Sequence, residues 1–135
     1  MYKQLNITDL FKGIKERIEA ATPFKCYDLP PENAPSPLVI MDLIRMDPAD
    51  TKTMYVKKYT VNLHVIGAPR TGSEILNHLT EIQEAMTEEI QIPECFNLLS
   101  QDDLGIQSIY TDETGERHAI LSYMFTVNYG LKIKQ

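Results

Sequence analysis

The run AILSYMFTVNYGLKI, residues 119–133, puts an apolar side chain at every odd position: Ala119, Leu121, Tyr123, Phe125, Val127, Tyr129, Leu131 and Ile133. Ser122, Thr126, Asn128, Gly130 and Lys132 take most of the even positions. A period of two is the signature of a β-strand with one face on a core. The odd face therefore belongs to the core, and the even face, with His118, meets water or a neighbouring subunit. Strands usually run about 3 to 10 residues, so this one is expected to reach beyond its own domain or to pair with something outside it. Thr111-Asp112-Glu113-Thr114-Gly115-Glu116 just before it reads as a hairpin turn, with Gly115 where positive φ is needed. Gly105 to Tyr110 reads as the partner strand.

Further upstream, Thr53 to Ile66 reads as a second long strand. Tyr55, Tyr59, Val61, Leu63 and Val65 share one face, and Lys58, Thr60, Asn62 and His64 the other. It forms a hairpin with Leu38 to Met46 across a polar turn, Asp47 to Lys52. In that first arm Leu38, Ile40, Asp42 and Ile44 face one way and Val39, Met41 and Leu43 the other. Before it, Leu29 to Pro37 holds four prolines in nine residues, a stiff surface loop that excludes helix and central strand. Thr8 is expected to cap a helix to Ala21, with Leu10, Phe11, Ile14, Ile18 and Ala21 as its apolar stripe and Lys12, Lys15, Glu16 and Glu19 as its wet side. Thr22-Pro23 ends it, and a short strand, Phe24 to Asp28, follows. Ser73 is expected to cap a second helix to Ile90, with Ile75, Leu76, Leu79, Ile82, Met86 and Ile90 inward and Ile92-Pro93 closing it. Residues 94–104 carry no clear period; Phe96, Leu98 and Leu99 are expected to tuck under the sheet. The order predicts an α+β fold: an antiparallel or mixed sheet of two long hairpins plus a short strand, with both helices on one face.

The chain has 135 residues, read as one domain, 1–135, large enough to hold a core without metal or disulfide. Its net charge of −6 argues against a general nucleic-acid binder, which needs a basic patch. The longest apolar runs are too short to span a membrane. No signal-peptide core follows Met1, which points to a cytoplasmic context. Cys26 and Cys95 lie far apart without metal or nucleophile spacing and read as ordinary thiols.

No catalytic set emerges from the reactive side chains. Gly67, four residues and Gly72 between a strand and a helix have the outline of a phosphate loop, but Ser73 stands where the lysine is needed and Glu74 where the hydroxyl is needed. Glu74, His78, Glu81, Glu84 and Glu88 read as a solvated helix face rather than half of a two-metal site. His64 and His118 sit on the polar faces of the long strands with no cysteine or carboxylate reliably beside them, so a histidine metal site is not expected. No serine shows a nucleophile elbow. Lys57 and Lys58 point to opposite faces and form no patch. Neither a metal nor a cofactor is expected.

Several local phrases together resemble the tail terminator proteins of long-tailed phages, also called tail completion or tail-to-head joining proteins. They are the helix leading into Phe24-Lys25-Cys26-Tyr27-Asp28-Leu29-Pro30, and Pro35-Ser36-Pro37 before Leu38-Val39-Ile40. Tyr59 to Val65 then breaks at Gly67 into an amphipathic helix, and Ile106 to Tyr110 leads through Asp112-Glu113-Thr114-Gly115 into the long alternating strand. The resemblance implies a structural virion protein without catalysis. Such proteins form a hexameric ring that caps the tail tube, stops its growth and meets the head-completion, or stopper, protein. DNA passes through the lumen without sequence-specific binding, and an acidic chain fits a lumen that must not hold a polyanion. Assembly in the host cytoplasm and residence at the head–tail junction of the virion are implied with it.

On this reading the polar tips carry contacts with other copies or partners: Asp47, Asp50 and Lys52 in one, Arg70 and Thr71 in the next, and Asp112, Glu113 and Glu116 in the third. The runner-up is a head-closure or tail-tube ring subunit. A third reading is a small ligand-binding domain or enzyme with an interface site lined by His64, His118 or tyrosines.

Overall fold

The structure, a computed structural model, describes residues 3–68 and 73–132. Its elements run α1 (Ile7–Ala21), β1 (Lys25–Tyr27), β2 (Leu38–Pro48), β3 (Met54–Ile66), α2 (Glu74–Ala85), β4 (Asn97–Thr111) and β5 (Arg117–Leu131). The five strands form one sheet in the order β1-β2-β3-β5-β4. Only β1 pairs in parallel, with β2; the other ladders are antiparallel. The fold is α+β, as expected.

The alternating run lies in β5 and is paired along both sides. Met54 to Ile66 lie against Leu131 to His118, and Asn97 to Thr111 lie against Asn128 to Arg117. The expectation that so long a strand reaches beyond its own domain or pairs with something outside it is therefore corrected. Two further long strands of the same chain cover it, one of them β4, whose full length the sequence pattern had concealed.

Ala119, Leu121, Tyr123, Phe125, Val127 and Tyr129 of β5 are buried together with Tyr59, Val61, Leu63 and Val65 of β3 and Val39 and Met41 of β2. Leu10, Ile14 and Ile18 of α1 and Ile75, Leu79 and Ile82 of α2 close over this face. Each such side chain contributes about 1.5–3 kcal/mol by leaving water. Both helices thus share one face of the sheet, because only one face is continuously apolar.

Element ends differ from expectation where side chains replace backbone partners. Asn6, not Thr8, caps α1: its Oδ1 accepts the Thr8 backbone N–H at 3.1 Å. Ala21 is exposed at the last turn of α1 rather than buried. Glu19 is half-buried, and its Oε2 accepts the Cys26 backbone N–H at 2.9 Å. β2 continues through Asp47 and Pro48, paired with Lys58 and Lys57, so the turn is shorter than Asp47 to Lys52. Opposite Tyr55 and Val56 the bulged residue is Tyr129 of β5, and beyond it Leu131 is exposed rather than on the core. Val56 is buried, and so are Ser122 and Thr126 on the even face of β5, which was expected to meet water or a neighbour.

α2 ends at Ala85, not Ile90, and Ser73 makes no side-chain cap bond. The cause of the early end is Gln101 on β4. Its Oε1 accepts the Ile90 N–H, and its Nε2 donates to the carbonyls of Met86 and Glu88, each at 2.9 Å. One amide thereby satisfies backbone that a longer helix would have satisfied itself. Met86 and Ile90 are buried as expected, but Leu76 is exposed.

The ambiguous residues 94–104 are largely strand, since β4 begins at Asn97. Its register shifts three times, between Leu98 and Ser100, Asp103 and Gly105, and Ile106 and Ser108. Each bulge reverses the side-chain parity and erases the period of two. For that reason Leu99 is exposed, not tucked under the sheet, whereas Phe96 and Leu98 do pack on the core.

Candidate functional site

Hairpin register separates the predicted contact residues into two poles. Met54 of β3 lies opposite Leu131, and Ile66 opposite His118. The β2–β3 tip therefore stands at one end of the sheet and the β4–β5 tip at the other. The 13 residues of β3 place these poles roughly 40 Å apart at about 3.3 Å per residue.

At the first pole, Asp50 Oδ1 accepts the Val56 N–H at 2.9 Å, and Thr51 Oγ1 accepts the Met54 N–H at 3.0 Å. Lys132, just past β5, donates its backbone N–H to the Thr53 carbonyl, and its Nζ lies 3.8 Å from Asp50 Oδ2. Asp47 takes two bonds from Arg45, at 2.8 and 3.1 Å. Lys52 is exposed.

At the second pole, Asp112 organises the turn. Its Oδ1 accepts from Thr114 N, Thr114 Oγ1 and Glu116 N at 2.9, 2.6 and 3.1 Å. Its Oδ2 lies 2.6 Å from His118 Nε2. The Thr114 hydroxyl bond first, and the His118 bond next, pull the Asp112 carboxyl down to about 2. Gly115 has φ +88°, as the turn requires. His118 stacks on Tyr110 with ring centroids 4.9 Å apart. Glu116 Oε2 accepts from Ser36 Oγ at 2.6 Å, which ties the proline-rich loop to this tip. The Gly67 N–H donates to the Arg117 carbonyl, so the loop after β3 starts at the same pole. Glu113 is exposed. Arg70, Thr71 and Gly72 lie outside the described residues, and with them the end of the loop that resembled a phosphate loop. β3 is antiparallel to both its neighbours, unlike the parallel strand that a phosphate loop follows.

The structure corrects the expectation that the strand histidines lack carboxylates. Asp42 Oδ2 lies 3.8 Å from His64 Nε2, and Asp112 bonds His118. The Asp112–His118 pair closes across one hairpin turn, whereas a bulge between Leu43 and Arg45 sets the register that brings Asp42 toward His64. Asp112, Glu116 and His118 bring ligand-type atoms within 4.8 Å of one another. Among the described residues these are the side chains that could hold a metal, and hydrogen bonds to one another, to the turn and to Ser36 engage all three. His78 is not part of a solvated face: its ring meets Phe24 edge-on at 4.8 Å. Glu74, Glu81, Glu84 and Glu88 are exposed as expected.

A shallow cleft of about 290 Å³ opens between α1 and the β1–β2 edge, lined in part by Phe11, Lys12, Lys15, Cys26 and Met41. Burial pushes the Cys26 thiol up to about 12, so it stays neutral and is a poor nucleophile. Cys26 and Cys95 are both free. Among the described residues no helix is long and apolar enough to cross a membrane.

The search of curated proteins finds no match. Among solved structures, a chain from the virion of a native gene transfer agent particle matches with TM-score 0.60 and 15% identity, over 85% of this chain and 84% of that one. At that identity the likeness shows a shared fold. A family model described as "Putative tail termination protein" matches residues 1–135. The chain belongs to this phage tail terminator family, a family of structural tail proteins of the virion.

Proposed function

We propose that this chain is a single-domain tail terminator. Copies of it form a ring, hexameric by family resemblance, that caps the tail tube and joins it to the head-completion protein, with DNA passing through the lumen. Assembly takes place in the host cytoplasm and the protein remains at the head–tail junction. The observation that carries the reading is the two-pole layout. Two ordered polar tips stand at opposite ends of a rigid sheet, which suits a subunit that meets a different partner at each end. Catalysis is no part of the role, and the net charge of −6 disfavours retention of a polyanion.

The test is in vivo complementation. Shortening the tip around Asp50, or the one around Glu113, is expected to leave a folded protein that cannot join heads to tails. Lys52→Glu and Glu113→Lys alter exposed side chains outside the turn networks and guard against misfolding as the cause. Normal joining by both shortened chains sinks the reading. Co-purification with heads rather than tails favours a head-closure subunit instead.

A further inference from the structure

Charge is divided along this chain by element. From Ser73 to Glu116, which covers α2, β4 and the second tip, there are eleven carboxylates and no lysine or arginine. From Lys3 to Lys58, nine lysines and arginines stand against eight carboxylates. The two sets meet where α1 touches α2, with Arg17 Nη1 2.9 Å from Glu88 Oε2, and diverge toward the two edges of the sheet. α1 packs beside β1, while α2 lies over β3 and β5 and reaches β4 through Gln83 and Asp103, 3.3 Å apart. Sheet order then puts β1–β2 at one lateral edge and β4 at the other. One flank is strongly acidic. The opposite flank is near neutral and exposes Lys12, Lys15 and Lys25.

Exposed apolar side chains gather on the same two edges. Leu99, Leu104, Ile106 and Ile109 are exposed on β4, and Ile44 and Met46 on β2. β1 pairs only with Leu38 to Ile40, so the outer side of β2 beyond Ile40 has no strand partner among the described residues. The α1–β1 cleft, with Phe11 and Met41, opens beside that stretch. The three bulges of β4 interrupt a regular ladder on its free side, so this edge is built to dock through side chains rather than by adding a strand.

We propose, resting on the ring reading above, that the β4 edge of one copy docks head-to-tail on the β2–α1 edge of the next. Apolar side chains of β4 meet Ile44, Met46 and the cleft, and the acidic flank faces Lys12, Lys15 and Lys25. A near-neutral flank with exposed lysines accepts the acidic one, whereas β4 against β4 would oppose two acidic flanks. A contact between two different edges repeats around a closed ring.

The test uses phage particles assembled in cells that supply a Cys95→Ser chain together with Leu104→Cys and Ile44→Cys chains, both also on the Cys95→Ser background, so that no exposed native thiol remains. A short bifunctional maleimide is expected to give dimers of this chain only when both variants are present. Dimers from Leu104→Cys alone, or none in particles that contain both variants, overturn the edge assignment. A chain with Lys15→Glu and Lys25→Glu is expected to fold, by circular dichroism, yet be lost from particles, and to return when the co-supplied chain carries Asp102→Lys. Its retention at the wild-type level also overturns the assignment. Carbodiimide crosslinking of wild-type particles, which joins carboxylates to lysines, reads the ring itself: multimers there without the edge-specific crosslink sink the edges alone, and monomers only sink the ring.

Discussion

Asp112 shows how much one side chain does at the second pole. Its carboxylate gathers Thr114, Glu116 and His118, and those bonds hold it ionised down to about pH 2. A carboxyl whose folded pKa is lowered stabilises the fold above its unfolded value, near 4, and loses that contribution as pH falls through the folded value. The turn is therefore expected to be fully ordered at neutral pH and to loosen only between about pH 4 and pH 2. Amide chemical shifts of Thr114 and Gly115 followed through an acid titration check this, and Asp112→Asn should remove the step. The turn itself was legible, since aspartate and glycine at those positions have a local reason to be there. The His118 partner was not, because it depends on which residue the hairpin register brings opposite.

Among the elements, α1 and β5 were read nearly to their ends, while α2 and β4 were not. The difference is physical. α1 is capped and terminated by its own neighbours, Asn6 and Thr22, and β5 keeps its odd residues on the core from Ala119 to Tyr129, up to a bulge at its far end. α2 is cut short by an amide from β4, and β4 loses its period at three bulges. The approach of α1 to the chain after α2 is also set by tertiary contact. A Cβ on Gly13 would lie 2.4 Å from the Gln91 carbonyl oxygen. Gly13→Ala is expected to lower stability by about 1–2 kcal/mol, the overpacking cost outweighing the roughly 1 kcal/mol gained in helix propensity. Urea midpoints of the two proteins measure it, and an unchanged or raised midpoint refutes the close contact.

For the whole molecule, the decisive quantity is the separation of the two tips. Because they stand at opposite poles, damage to each should stall assembly at a different point. One shortened tip is expected to leave tubes of uncontrolled length, and the other to leave finished tails that take no heads. Electron microscopy of the two lysates distinguishes these states, and identical products from both argue against one partner per pole. Periodicity, proline placement and turn residues along the chain by themselves determined the α+β class, the element order, the apolar face and the resemblance to tail terminators, because each is a local pattern within one element. The tertiary structure alone decided that β5 is sandwiched between β3 and β4, where α2 stops, which carboxylates meet the histidines, and that the tips lie at opposite ends with charge divided between the lateral edges. Those facts arise from register and strand order, which join residues distant in the chain and leave no local period to read.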